Sequence, residues 1–364
     1  MLERCSLGKC VFSRFPSIQT SQFTIQTTMH SSMLSLLAFA SQAVLASPTP
    51  VVRTASLPLP AHTIWQLHDN PPKSWLENLA VRQNGDLLVT MLSPNASIFH
   101  IQEPLSGSPQ SSIISVPNAT GLLGIAETTP DVFAVTGGIF NGVAVPVEGS
   151  MAVWEVDFTG SEPTVRVAAQ LTNAGIVNGL AFIPGSSPPA VLVADSALSL
   201  VWRVDLTTGE YEVAAEVPEM KGSANASTPL GVNGLKTRCG NLYFSNTNLA
   251  SIFRLPLDER GVAPKDAEAV RVAKLDATFM DDFLIDEQGK IWAATNQGNT
   301  VVVAKEDTGS VVVAGTLTEL TVAGDTSLAL GRTEDAKNIV YVATGGTVND
   351  LKLKRQTRMI LCYV

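Results

Sequence analysis

Charge and aromatic residues are both scarce in this 364-residue chain, at 16% and 6%, and it carries four histidines and four cysteines. Each shortage narrows the possible functions. The acidic residues outnumber the basic ones 33 to 24, for a formal net charge of −9. No basic stripe is available to neutralise phosphates, which argues against nucleic acid as a partner. No apolar run reaches the roughly 20 residues that a membrane-spanning helix needs, and helical periodicity is almost absent. The nucleophile motif G-x-S-x-G is missing, and "GSS" at 185–187 falls in a hairpin, so no Ser-His-Asp arrangement offers itself. His68, in "LHDNPPKSW", reads as a surface imidazole. Of the cysteines, Cys5 and Cys10 precede the folded region. Cys239 and Cys362 could form one disulfide or stand as two isolated buried thiols, because spacing alone does not bring their Cα atoms within reach.

What remains is a folded protein: 45% hydrophobic, with 27 glycines and 21 prolines. Residues 1–46 read as an N-terminal extension and signal peptide. "MLSLLAFASQAVLA", Met33–Ala46, is a short apolar stretch with Val44 and Ala46 at the −3 and −1 sites, so cleavage is expected before Ser47 and localisation in the secretory pathway. Residues 1–32 are long for the segment ahead of such a stretch, which makes Met29 or Met33 alternative starts; a buried N-terminal helix is the competing reading. Three sequons agree with secretion and predict glycosylation at Asn95, Asn118 and Asn225.

A repeat decides the architecture. "ENLAV" at 77, "LGIAE" at 123, "NGLAF" at 178, "NGLKT" at 233, "DDFLI" at 281 and "TSLAL" at 326 share one register, spaced roughly 50 residues apart. Each is followed by a turn signal and a β-rich run, from "QNGDLLVT" to "AKNIVYVATGG". Third strands follow in "LVWRVDL" and "SIFRLPL", and fourth strands in "EYEVAAEV" and "VRVAKL". The pattern predicts an all-β chain: one six-bladed β-propeller of four-stranded blades over residues 47–364. "MILCYV" at the C-terminus could close the ring by pairing with "TIWQL" near residue 65, or could be a wrongly spliced tail.

The register places Glu77, Leu123, Asn178, Asn233, Asp281 and Thr326 at the starts of six innermost strands, in a ring at one mouth of the channel. Carboxylates brought together there repel and resist desolvation. A hard divalent cation with oxygen ligands resolves this, so Ca2+ is the expected ion. Asparagine supplies an oxygen, and the glycine after it lets backbones crowd the axis; turn chemistry at a strand start would also explain Asn-Gly. Around the ring, Trp75, Phe140, Met220, Phe279 and Met280 are expected to form an apolar bowl for a small-molecule substrate.

At these motifs the chain resembles the superfamily of senescence-marker-protein and gluconolactonase-like six-bladed propellers, over essentially residues 60–346. The resemblance implies that Glu77, Asn233 and Asp281 bind the metal and that Asn178 assists, with Asp281 and Asn178 as catalytic residues. Two positions depart from the pattern. Ile176 stands where sugar lactonases have a substrate-holding arginine, which argues against a polyhydroxylated lactone, and Asp282 replaces a glycine. "ENLAVRQNGDLLVT", "VWRVDLTTGEYEV" and "DDFLID" are closer still to a fungal secondary-metabolism branch. Characterised members of that branch are hetero-Diels-Alderases that join a tropolone-derived o-quinone methide to humulene. The resemblance thus implies a pericyclase acting on an apolar sesquiterpenoid intermediate. A Ca2+-dependent lactonase or esterase and a non-catalytic ligand-binding propeller are the alternatives; the sequence leaves oligomeric state open.

Overall fold

The structure, a computed structural model, describes residues 4–6, 9–11, 57–67, 74–142, 145–226, 229–305, 309–318, 321–346 and 358–363. The chain divides into two units, Met1–Ala55 and Ser56–Val364. In the first, Arg4–Ser6 pairs antiparallel with Lys9–Val11. The expected signal stretch Met33–Ala46, its cleavage point and His68 lie outside the described residues.

The second unit is an all-β propeller of four-stranded antiparallel blades. Five sheets each use four consecutive strands, and their innermost strands are Trp75–Val81, Gly121–Thr129, Val177–Phe182, Val232–Arg238 and Phe283–Ile285. A sixth sheet takes its inner strands, Asp325–Leu330 and Ile339–Thr344, from one part of the chain and finishes with Arg358–Tyr363 and Ala61–Gln66. Met359 pairs with Trp65 and Ile360 with Thr63, so "MILCY" and "TIWQ" form the closing strands. Below they are called blades one to six, in the order of their inner strands.

Burial follows position in the blade. Second strands are covered on both faces by neighbouring blades, and "AVLVAD" at Ala190–Asp195 and "IVYVAT" at Ile339–Thr344 are buried at every residue. This is why they read as continuous apolar runs rather than as alternating ones. Fourth strands face solvent, as in Tyr211–Ala215. Among the described residues, helix is confined to two single 3-10 turns, Pro218–Met220 and Glu334–Ala336.

The repeated motif is a β-bulge. Pairing between first and second strands slips at Leu76/Asn78, Leu122/Ile125, Val177/Leu180, Val232/Leu235 and Asp325/Ser327. In each case the motif residue is left unpaired, together with the glycine after it in blades two to four, so its side chain is re-aimed. The glycines of the motif allow the backbones of neighbouring blades to approach closely. A Cβ on Gly124 would lie 2.6 Å from Asn178 O, and one on Gly179 would lie 2.6 Å from Asn233 O and 2.8 Å from the Gly234 Cα. Hydroxyls stitch these bulges together. Thr90, Thr136 and Ser245, all on second strands, accept from their own blade's bulge at Asn78 N, Gly124 N and Gly234 N, at 3.0, 2.8 and 2.8 Å. The same hydroxyls donate to the next blade at Leu123 O, Asn178 O and Asp281 O, at 2.5, 2.6 and 2.9 Å.

Candidate functional site

Glu77, Asn178, Asn233, Asp281 and Thr326 are all buried at the start of their inner strands. Asn233 Nδ2 donates to Asp281 Oδ1 at 3.0 Å and to Thr247 Oγ1 at 3.0 Å. Asn296 Nδ2 donates to Asp281 Oδ2 at 2.8 Å. Trp75 Nε1 donates to Glu77 Oε2. Thr326 serves the fold, since its hydroxyl bonds Leu76 O and Ala343 O. Leu123, buried at the equivalent place in blade two, gives the ring an apolar member. The Asn178 side chain makes no hydrogen bond to the described residues, and neither the Glu77 nor the Asp281 carboxylate has a cationic partner among them.

The electrostatics follow from burial. Desolvation, with the neighbouring Asp281 charge next in size, raises the Glu77 pKa well above the usual carboxylate range. Desolvation likewise pushes Asp281 up to about 7, against the hydrogen bonds from Asn296 and Asn233. Asp325, one residue before the expected ring position, was not singled out by the repeat. It is fully buried, its Oδ2 accepts from Thr295 N at 2.9 Å, and its Oδ1 has no partner. Burial raises its pKa as well, and the Asp281 charge adds to the shift. Asn296 was also missed, because it lies in the turn after a second strand, at φ +50.

These shifts set the sign of a pH dependence. A carboxyl whose folded pKa exceeds its unfolded pKa of about 4 binds its proton more tightly in the folded state. Its destabilising effect is absent below the unfolded pKa and grows as pH rises towards the folded value, about 7 for Asp281. Metal-free protein should therefore melt at a higher temperature at pH 5 than at pH 8, and Asp281→Asn should flatten that dependence. A melting temperature that rises with pH over this range would contradict the arrangement.

One residue along the strands lies a second polar layer. Asp282 Oδ1 accepts from Lys236 Nζ at 2.8 Å and from Phe283 N at 2.8 Å. Asp282 Oδ2 accepts from Asn78 Nδ2 at 3.1 Å, and Ser327 Oγ stands 3.0 Å from both Asp282 Oδ2 and Asn78 Oδ1. The departure from glycine at this position thus provides a hub joining blades one, four, five and six.

The expected apolar bowl is rearranged. Trp75, Phe140 and Phe279 are half-buried. Met220 and Met280 are fully buried and belong to the packing between blades, in the clusters around Phe244 and Phe283. The Met220 turn is drawn inward because Asn246 Nδ2 donates to Glu219 O and Lys221 O, at 2.8 and 2.9 Å. Ile139, Val145, Leu198, Leu249 and Leu317 are exposed. They sit in loops that strand direction places on the same face as the ring, where a sequence reading of inner strands alone does not look. Asn95, Asn118 and Asn225 are exposed. Cys239 is disulfide-bonded. The side chains of Cys5, Cys10 and Cys362 lie outside the description, and so does the expected pairing with Cys362. Among the described residues, no three His, Cys, Asp or Glu side chains form a group able to hold a metal; the ring combines carboxylates with amides.

The fold is the propeller fold of solved gluconolactonase-like structures. A solved structure named "putative gluconolactonase" superposes with a TM-score of 0.56 at 14% identity, over 84% of this chain and 92% of its own. No family model matches the chain. A Phoma sp. protein named "Putative hetero-Diels-Alderase" is 31% identical over 342 residues, 86% of this chain and 94% of its own length. A Sarocladium schorii protein of the same designation is 28% identical over 323 residues, 80% of this chain and 79% of its own length. The chain belongs to this hetero-Diels-Alderase-like family.

Proposed function

We propose that this chain catalyses a hetero-Diels–Alder cycloaddition, joining a tropolone-derived o-quinone methide to an alkene of a humulene-type sesquiterpene. The match to nearly the full length of the Phoma relative carries this reading. In such a step one C–C and one C–O bond form together and no atom leaves. Catalysis then rests on holding two apolar partners in one orientation, an effect worth about 7–11 kcal/mol when complete. The half-buried Trp75, Phe140 and Phe279 and the exposed apolar loop residues offer suitable walls at the mouth.

Purified protein should accelerate the reaction of a generated tropolone quinone methide with humulene and give one stereoisomer. Trp75→Ala and Phe279→Ala should each slow it about tenfold or more through lost orientation, while Asp281→Asn should keep most of the rate and the stereochemistry. Equal rate and product mixture with and without protein would end this reading. Turnover of aryl esters or lactones in the same preparation, lost about 100-fold in Asp281→Asn as for a general base, would place hydrolysis at the ring instead.

The ring also fits a hard divalent cation, on the ground that burial raises the pKa of two carboxylates without a cationic partner, with the Asp281 charge adding to the shift of Glu77. Glu77, Asn233 and Asp281 would hold Ca2+, whose charge would keep both carboxylates ionised. Added Ca2+ should raise the melting temperature and remove the pH dependence described above. A melting curve that neither Ca2+ nor chelator moves would remove the metal from this proposal.

A further inference from the structure

Beyond the ring, the channel holds a second chamber. Its volume is about 350 Å3, and all six inner strands line it, with Leu79, Ile125, Leu180, Leu235, Leu284 and Leu328 as its apolar wall. Every one of these residues lies further along its strand than the ring residue of the same blade, so the chamber occupies the opposite part of the channel. Two features stand between the chamber and the ring. The Asp282 hub with Asn78, Lys236 and Ser327 crosses the channel from blades one, four, five and six. On the side of blades two to four, Gly124 and Gly179 bring neighbouring backbones too close for a Cβ.

Lys236 gives this chamber its chemistry. It lines the wall and its side chain keeps 33% exposure. Among the described residues its only acceptor is Asp282 Oδ1, while its Nζ lies 5.3 Å from the centre of the Phe283 ring. An ammonium carries three N–H donors, so two are unspent. Its charge is already balanced by Asp282. A carboxylate ligand would add a second anion to a balanced pair in an apolar surround, which burial penalises. A neutral oxygen acceptor would take a charge-assisted hydrogen bond without that cost. The Thr237 hydroxyl, also in the wall, donates to Phe182 O at 2.7 Å.

We infer that this chamber is a separate small-molecule site that binds a neutral, apolar carbonyl compound, with Lys236 donating to the carbonyl oxygen. The inference stands apart from the cycloaddition, since it rests on the chamber alone.

Benzophenone is a suitable probe, because it is neutral, apolar and attaches to nearby C–H bonds on irradiation. Calorimetry should show benzophenone binding about tenfold more tightly than diphenylmethane, the worth of one hydrogen bond to a charged donor, and also more tightly than diphenylacetate. Irradiation should label the chamber wall, at residues 78–79, 125–126, 180–182, 184, 235–237, 284 or 328–329. Ala329→Phe, which fills the chamber without touching the Asp282 hub, should abolish binding. Lys236→Met should remove the preference for the ketone while diphenylmethane still binds. Equal affinity for ketone and hydrocarbon, tighter binding of the carboxylate, labelling confined to the loops around the ring, or full binding by Ala329→Phe would each overturn the inference.

Discussion

Gly179→Ala should cost about 3 kcal/mol of stability, an overpacking penalty at the upper end of the usual range. The backbone at Gly179 does not sit at positive φ, so alanine could adopt its conformation. The obstacle is space: the new methyl group would stand 2.6 Å from Asn233 O and 2.8 Å from the Gly234 Cα, and both are backbone atoms of the next blade. They can retreat only if blades three and four separate at the axis. Gly185→Ala is the control. Gly185 has φ +79 and nothing within 4 Å of its would-be Cβ, so its substitution adds only the strain of a left-handed alanine, about 1 kcal/mol. Urea melts of the two variants compare them directly. Equal losses would mean that the blades yield at the axis and that crowding there is not what selects glycine.

The second large effect belongs to Asp282. Asp282→Ala should destabilise the protein by about 3 kcal/mol, the low end of removing one partner from a buried ion pair, because Lys236 keeps 33% of its side chain exposed. The loss would strand the Lys236 ammonium, the Asn78 amide and Phe283 N together. Part of that cost is the abandoned cation, so Asp282→Ala should cost distinctly less in a Lys236→Met background than in the wild type. Thermal melts of the four proteins complete the cycle. Purely additive losses would show that the pair is incidental and that the hydrogen bonds to Asn78 and Phe283 carry the effect.

The sequence displays the blades clearly because each repeat announces itself twice, by an Asn-Gly-Leu-like start and by an apolar run covered on both faces. Even the closing strand could be read from "MILCYV" and "TIWQ". The ring was legible as far as register reaches, since Glu77, Asn178, Asn233 and Asp281 are equivalent by position. Asp325 was not, because it stands one residue before the motif position, where blades one to four carry Leu76, Leu122, Val177 and Val232, and Asn296 was not, because it lies in a left-handed turn of blade five. Met280 was placed in the bowl because it precedes Asp281, and Met220 because it lies in the long loop before blade four. Nothing local signals that Asn246 draws the Met220 turn into the core. The Asp282 hub was visible only as a departure from a family pattern. Its partners come from residues 78, 236 and 327, and no local pattern joins positions so far apart.

The strand Arg358–Tyr363 has a consequence for how the chain reaches its native state. It lies between Ile339–Thr344 and Ala61–Gln66, so the ring joins only when the last residues pair with some of the first in the propeller. During synthesis, five blades can assemble from consecutive segments while the sixth waits. For that interval both Ile339–Thr344 and Ala61–Gln66 present an unpaired row of backbone donors and acceptors, which is the template that another chain can extend. Closure of the ring is therefore also the step that withdraws these two edges from neighbouring chains, and it depends on long-range contacts of the kind that loop entropy makes slow to form.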